Sequence, residues 1–286
     1  MFIRESVNIH GREITIETGR IAKQANGAVL IGLGDTLALV TAVATKQARE
    51  GIDFFPLTCE YTERQYAGGK IPGGFFKREG RPREDEILTC RIMDRPIRPM
   101  FPDGFVNETQ IIATLLSSDR ANKADVLALT GASAALHISD IPFFGPLAGI
   151  RVGRVDGQLI AYPTVEEVAK SDLDIVIAAN RDAILMVEGG GKEISERDLV
   201  EALEFGHMAI QPLLDLQDEL RKSVGKPKWS VTAPVKDAAI AARVRELYTA
   251  KFDEATQIRT KHDRYARIDE LGAEAVKALE AEFPER

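Results

Sequence analysis

GKIPGGFFKREGRPREDEILTCRIMDRPIRPMFPDGF, from Gly69 to Phe105, changes character part-way along. Its first half holds Gly69, Gly73, Gly74 and Gly80 with Pro72 and Pro82. Glycine reaches backbone angles closed to other residues and proline blocks ladder pairing, so residues 64–83 are expected to be a loop. A loop of roughly 20 residues inside a compact domain is usually functional or disordered. From 84 to about 95 the pattern turns helical. Glu84, Asp85 and Glu86 suit a first helical turn, and Pro96 and Pro99 end the run.

The chain carries a formal net charge of -7, yet this stretch is basic. Residues 64–98 hold Arg64, Lys70, Lys77, Arg78, Arg81, Arg83, Arg91, Arg95 and Arg98. At the centre, two aromatics, Phe75 and Phe76, precede two cations, Lys77 and Arg78. An exposed aromatic stacks on any base while Lys and Arg take phosphates, which is the combination that sequence-tolerant binding of single strands needs. Arg91, Arg95 and Arg98 stand at i, i+4 and i+7, one face of an ideal helix. Pro96 weakens the placing of Arg98. A plainer reading stands beside this one. Phe75 and Phe76 also suit a core plug under a loop, and the arginines a solvated face paired with Glu84, Glu86 and Asp94.

Outward from this stretch, the chain reads as strands and then helices. Residues 6–9 and 13–17 alternate around His10-Gly11, and apolar runs at 27–33 and 36–45 meet at the hairpin signal Gly34-Asp35. Residues 56–62 and 106–116 are further strands. Asn122 is the expected N-cap of a helix to about His137. Strands follow at 147–154 and 158–162, then a capping box, Thr164 with Glu167. Residues 173–179 are almost unbroken apolar sequence and suit a central strand, with another at 183–187. One long helix is expected from Ser195 to about Val224. Gly225-Lys226-Pro227 breaks it, and the Ala/Glu/Lys/Arg-rich remainder reads as helices beginning at Pro234. The expected division is a core domain over 1–225, a linker over 226–233 and an all-helical domain over 234–286 that looks cut short.

Several patterns imitate sites. Gly189-Gly190-Gly191-Lys192 has Glu193 where a phosphate loop needs Ser or Thr, and Met186 where its first Gly belongs; a strand-to-helix turn fits better. Asp172 and Asp174 form a D-x-D pair that can hold a metal, but a turn followed by a strand start gives the same pattern. The four histidines lie far apart, so a zinc site is not expected. Cys59 and Cys90 suit a reducing cytosol. No apolar run is long enough for a membrane span.

The Gly69–Phe105 stretch, LGDTLALVTAVAT before it and LTGASAALHISDIPFFGPLAGIRVG after it resemble the bacterial polynucleotide phosphorylases, as does Gly225-Lys226-Pro227-Lys228-Trp229 leading into an Ala-rich segment. The resemblance covers essentially the whole chain. It implies an α+β fold: a ribonuclease-PH-like core of the ribosomal-protein type, followed by a small all-α domain. It also implies an enzyme that degrades mRNA from the 3′ end with inorganic phosphate, releasing nucleoside diphosphates. The implied partners are single-stranded RNA, two further copies in a trimeric ring and an RNA-degradation complex; the implied location is cytoplasmic. By the same resemblance, Phe75, Phe76, Lys77, Arg78 and Arg81 line the RNA channel, and Arg91, Arg95 and Arg98 approach phosphates.

One departure sets the expected role of this segment. The family's catalytic second domain carries D-x-D-x-K with another Asp six residues before its second Asp, and these groups are linked to magnesium. Here Val176 stands for the lysine and Val168 for that Asp. A valine neither ligates a cation nor donates a hydrogen bond. The expectation is therefore that no catalytic or metal residue lies here, with magnesium held in the family's second core domain. A non-catalytic binding or assembly module is the alternative. A free-standing ribonuclease-PH relative is disfavoured by the helical tail and Val176.

Overall fold

The computed structural model describes residues 1–233 and 237–284, which divide into two compact units, Met1–Ala233 and Pro234–Arg286. The expected helix start at Pro234 lies outside the described residues.

The first unit opens with hairpins, because alternating apolar residues meet tight turns. β1 (Ile3–Ile9) pairs antiparallel with β2 (Arg12–Thr18), closing at Ile9 and Arg12. β3 (Gly27–Leu33) and β4 (Thr36–Ala44) close at Leu33 and Thr36 around Gly34-Asp35. β5 (Leu57–Glu63) leads through the loop into α1 (Glu84–Ile97), and β6 (Thr109–Ser117) then inserts between β4 and β5, parallel to β5. The six-stranded order is β1-β2-β3-β4-β6-β5. A parallel neighbour needs a crossover, and the loop with α1 supplies it.

α2 (Asp125–Ile138) is buried from Val126 to Ile138. An all-round apolar helix belongs between layers, and this one lies between the first sheet and a second. The second has the order β10-β9-β7-β8, built from β7 (Ala148–Val155), β8 (Gln158–Ala161), β9 (Leu173–Ala179) and β10 (Ile184–Gly191). Close approach sets the spacing. A Cβ on Gly27 would lie 1.9 Å from the Ala135 carbonyl oxygen of α2, and one on Gly149 of β7 would lie 2.8 Å from Leu129 Cδ2.

Three local expectations change. Asn122 does not cap α2: its side-chain amide donates to Asp119 Oδ2 at 2.6 Å, and Ala124 occupies the cap position. The helix expected over 195–224 is two, α4 (Glu196–Ala209) and α5 (Gln211–Val224), separated at Ile210. Pro212 starts the second because its ring excludes a preceding helical turn but tolerates a first one. Gly189–Gly191 are not a turn but the end of β10. A Cβ on Gly189 would sit 2.2 Å from the Asp174 carbonyl oxygen, so the glycine lets the two strands close up. The capping box of Thr164 with Glu167 does open α3 (Val165–Lys170).

The second unit is a pair of helices, α6 (Ala238–Thr256) and α7 (Lys261–Glu282), packed through Tyr248, Ala255, Leu271 and Ala275. Asp237 caps α6 by accepting from the Ala239 and Ile240 amides.

Candidate nucleic-acid interface

The loop leaves the first sheet at Glu63 and passes through a short 3-10 turn, Gln65–Gly68. Gly69 then adopts φ 69°, which turns the chain outward. Phe75 and Phe76 stand 94% and 81% exposed, packed edge-to-face with ring centres 5.5 Å apart. They are therefore not a core plug. Exposing two phenylalanines costs hydrophobic free energy that folding does not recover, which makes the pair a candidate for binding. Lys77, Arg78 and Arg81 beside them are exposed and, among the described residues, meet no carboxylate. The tip presents two ring faces with three unspent cations.

The arginines of α1 divide. Arg91 is exposed and meets no acceptor among the described residues. Arg95 donates to Glu188 of β10 at 3.3 Å across an exposed surface. Arg98 is committed elsewhere. It donates to both oxygens of Asp94 and to the carbonyls of Phe55 and Leu57, and it stacks 5.9 Å from the centre of the Phe55 ring. Pro96 does not bend the chain away, since Arg98 keeps helical angles and begins a 3-10 turn to Met100. What takes up Arg98 is Asp94 on α1 together with the Phe55 and Leu57 carbonyls, just before and at the start of β5.

Beside α1 a cavity of about 770 Å³ opens between that helix, the start of α2 and the second sheet. Leu88 and Ile92 of α1 face Val168 and Val176 across it. Arg151 of β7 occupies the polar wall, buried and clamped between Asp125 and Asp174. Burial works against its charge, but the carboxylates, Asp125 first, outweigh that and hold the guanidinium protonated. Asp172 is bound by Arg154 through Nε and Nη2, both at 2.9 Å, and hydrogen bonding to that arginine lowers its carboxyl below the ordinary range. Lys192 donates to the Ser171 carbonyl at 3.0 Å, so its ammonium is spent on backbone.

Residues 10–142 match the 3′ exoribonuclease family, domain 1, and residues 145–209 match domain 2 of the same family. This chain belongs to the 3′ exoribonuclease family. It is 57% identical over 281 residues to a polyribonucleotide nucleotidyltransferase of Geobacter sulfurreducens, and 56% identical over 283 residues to one of Sorangium cellulosum. These matches take 98% and 99% of this chain but 40% and 37% of the relatives, so the chain spans about two fifths of their length. Two solved structures share the fold. A chain of the Archaeoglobus fulgidus exosome with RNA bound to the active site has TM-score 0.55 at 18% identity, covering 74% of this chain and 88% of that one. Rice Rrp46 has TM-score 0.56 at 16% identity, covering 77% and 94%.

Within this exoribonuclease fold, the D-x-D pair does not suit a divalent cation. Asp172 and Asp174 each face an arginine, which a metal would have to displace against like charge. Among the described residues no three His, Cys, Asp or Glu side chains cluster as ligands. No described helix is long and apolar enough to cross a membrane. Cys59 and Cys90 are weak nucleophiles, because burial pushes both thiols up.

Sequence reading overlooked Arg151, Asp125, Glu188 and Glu79. One signal was available: Arg151 interrupts the buried apolar run Ala-Gly-Ile-Arg-Val-Gly at the start of β7, where a buried charge requires a partner. The other three act on residues far along the chain, and no local pattern marks them.

Proposed function

We propose that this chain is the RNA-guiding part of a polynucleotide phosphorylase, which shortens single-stranded RNA from its 3′ end with inorganic phosphate and releases nucleoside diphosphates. The observation that carries the reading is the exposed Phe75–Phe76 pair beside unpaired Lys77, Arg78 and Arg81. The rings stack on successive bases, at about 1–3 kcal/mol per base, enough to hold register and weak enough to release. Arg91, and Arg95 once it leaves Glu188, draw the phosphate backbone along α1 in a salt-dependent way. Bond cleavage belongs to a second core domain of the full enzyme, which holds magnesium and phosphate; the Arg151 clamp and the valines of this domain supply neither. Three copies assemble the ring whose channel the Phe75–Phe76 tips line, and the enzyme works in the cytoplasm.

The test uses the full-length enzyme. F76A with K77A is expected to raise the KM for long RNA about tenfold, from one lost stack and one lost phosphate contact. Unchanged RNA affinity in that double variant removes the loop from the RNA path.

A further inference from the structure

The loop that carries the aromatic tip is tied to its domain at one point. Among the described residues, every hydrogen bond and ion pair linking residues 71–82 to the rest of the protein is accepted by the carboxylate of Glu79. Its Oε1 takes the Gln65 amide at 2.7 Å and its Oε2 takes Arg64 Nη1 at 2.8 Å. The anchor it grips is firm. Gln65 starts the 3-10 turn, whose buried Ala67 accepts from the Ser118 amide at 3.0 Å and whose Gly68 carbonyl accepts from Arg120 at 2.7 Å. The Gln65 amide is one of the unsatisfied donors at a helix start, so a carboxylate there is doubly favoured. Glu79 therefore closes residues 65–79 into a ring that includes Phe75 and Phe76, which stand four and three residues before the closing carboxylate.

We propose that Glu79 is the positioning residue of this loop: its carboxylate holds the returning arm on Gln65 and Arg64 and so fixes where the Phe75–Phe76 edge meets the RNA. This rests on the reading of the loop as an RNA guide. Without the tether the tip samples more conformations, and each binding event must restrict them. The cost falls on RNA capture and leaves bond cleavage untouched.

In the full-length enzyme, Glu79→Ala is expected to raise KM for long single-stranded RNA about fivefold with kcat unchanged, the net worth of about one ordinary hydrogen bond. Trypsin should also cut faster after Lys77 or Arg78. Glu79→Gln keeps an oxygen for the Gln65 amide but no charge for Arg64, so its KM should rise only about twofold. In a Phe75→Ala/Phe76→Ala background, Glu79→Ala should raise KM by a smaller factor, because only the cations of the tip remain to be placed. The tether is overturned if Glu79→Ala leaves KM at its wild-type value, or multiplies it equally with and without the two rings. Should Glu79→Ala not fold, a wild-type KM in Glu79→Gln overturns it. A phenylalanine double variant that leaves KM unchanged overturns the loop reading itself; a raised KM there beside a wild-type value in Glu79→Ala sinks the tether alone.

Discussion

Arg91 and Arg95 lie on α1 and Arg98 just beyond its end, yet their surroundings give the three arginines three different states. Among the described residues Arg91 meets no acceptor, Arg95 is loosely held by Glu188, and Arg98 is locked by Asp94 and two carbonyls. A cation already saturated with acceptors has little left for phosphate, whereas a free one releases counterions on binding. Arg91→Ala in the full enzyme should therefore flatten the slope of log affinity against log salt by about 0.7 for single-stranded RNA. Arg98→Ala should leave that slope alone and lower the melting temperature; equal slopes for the two variants count against the division. Glu188 is a carboxylate sitting where an RNA phosphate would sit on Arg95. An exposed pair is worth about 0.2–1 kcal/mol, so Glu188→Gln should tighten RNA binding about two- to threefold at low salt in a filter-binding titration. The gain should vanish when Arg95 is also Ala.

At the scale of elements, α2 is the member on which both sheets depend, and its fit relies on backbone approach. Gly27→Ala would press a methyl against the Ala135 carbonyl 1.9 Å away, forcing β3 and α2 apart. Overpacking of this kind costs about 1–3 kcal/mol, so the urea midpoint should fall with the slope unchanged. A midpoint equal to wild type means that the sheet slides without cost. Most elements could be read from sequence because their causes are local. Period-2 alternation gave the hairpins, the apolar run over 173–179 gave a central strand, and Thr164 with Glu167 gave a cap. The failures have non-local causes. Asn122 has the chemistry of a cap, but Asp119 takes its amide first. Gly189–Gly191 look like a turn until β9 lies alongside. Pro212 is the exception, a local signal that breaks any single helix over 195–224. In the interface, composition and loop signals left Phe75 and Phe76 open between an exposed tip and a core plug, and their exposure decides between the two. For Arg98, pairing with Asp94 was legible four residues away, but the Phe55 and Leu57 carbonyls were not, because they precede it by some forty residues.

Across the whole of the first unit, one buried imidazole links α2 to α5 and sets a pH response. His137 donates from Nε2 to Asp218 at 2.9 Å, and its Nδ1 faces Arg221 at 3.4 Å, with Lys228 nearby. Burial lowers its pKa to about 4, and the Arg221 and Lys228 charges add to that; Asp218 opposes them without prevailing. The neutral ring thus carries its proton on Nε2. In the unfolded chain the same ring takes a second proton near its ordinary value of about 6.5. Between those values the unfolded state binds more protons, so stability is full above about 6.5 and is lost as pH falls toward about 4, by up to about 3 kcal/mol. Urea unfolding of His137→Gln should show a flatter profile in that window; an unchanged profile would mean that carboxylates dominate even there.

Beyond its anchor, where Ala67 joins the core, the proposed guiding loop leaves Ile71, Phe75 and Phe76 in solvent. Its tip can consequently be rewritten, lengthened or shortened while the fold's free energy stays nearly the same. Selection, or an engineer, can then retune how hard the enzyme grips its substrate without renegotiating whether the protein folds, so grip and foldedness are inherited as separate traits.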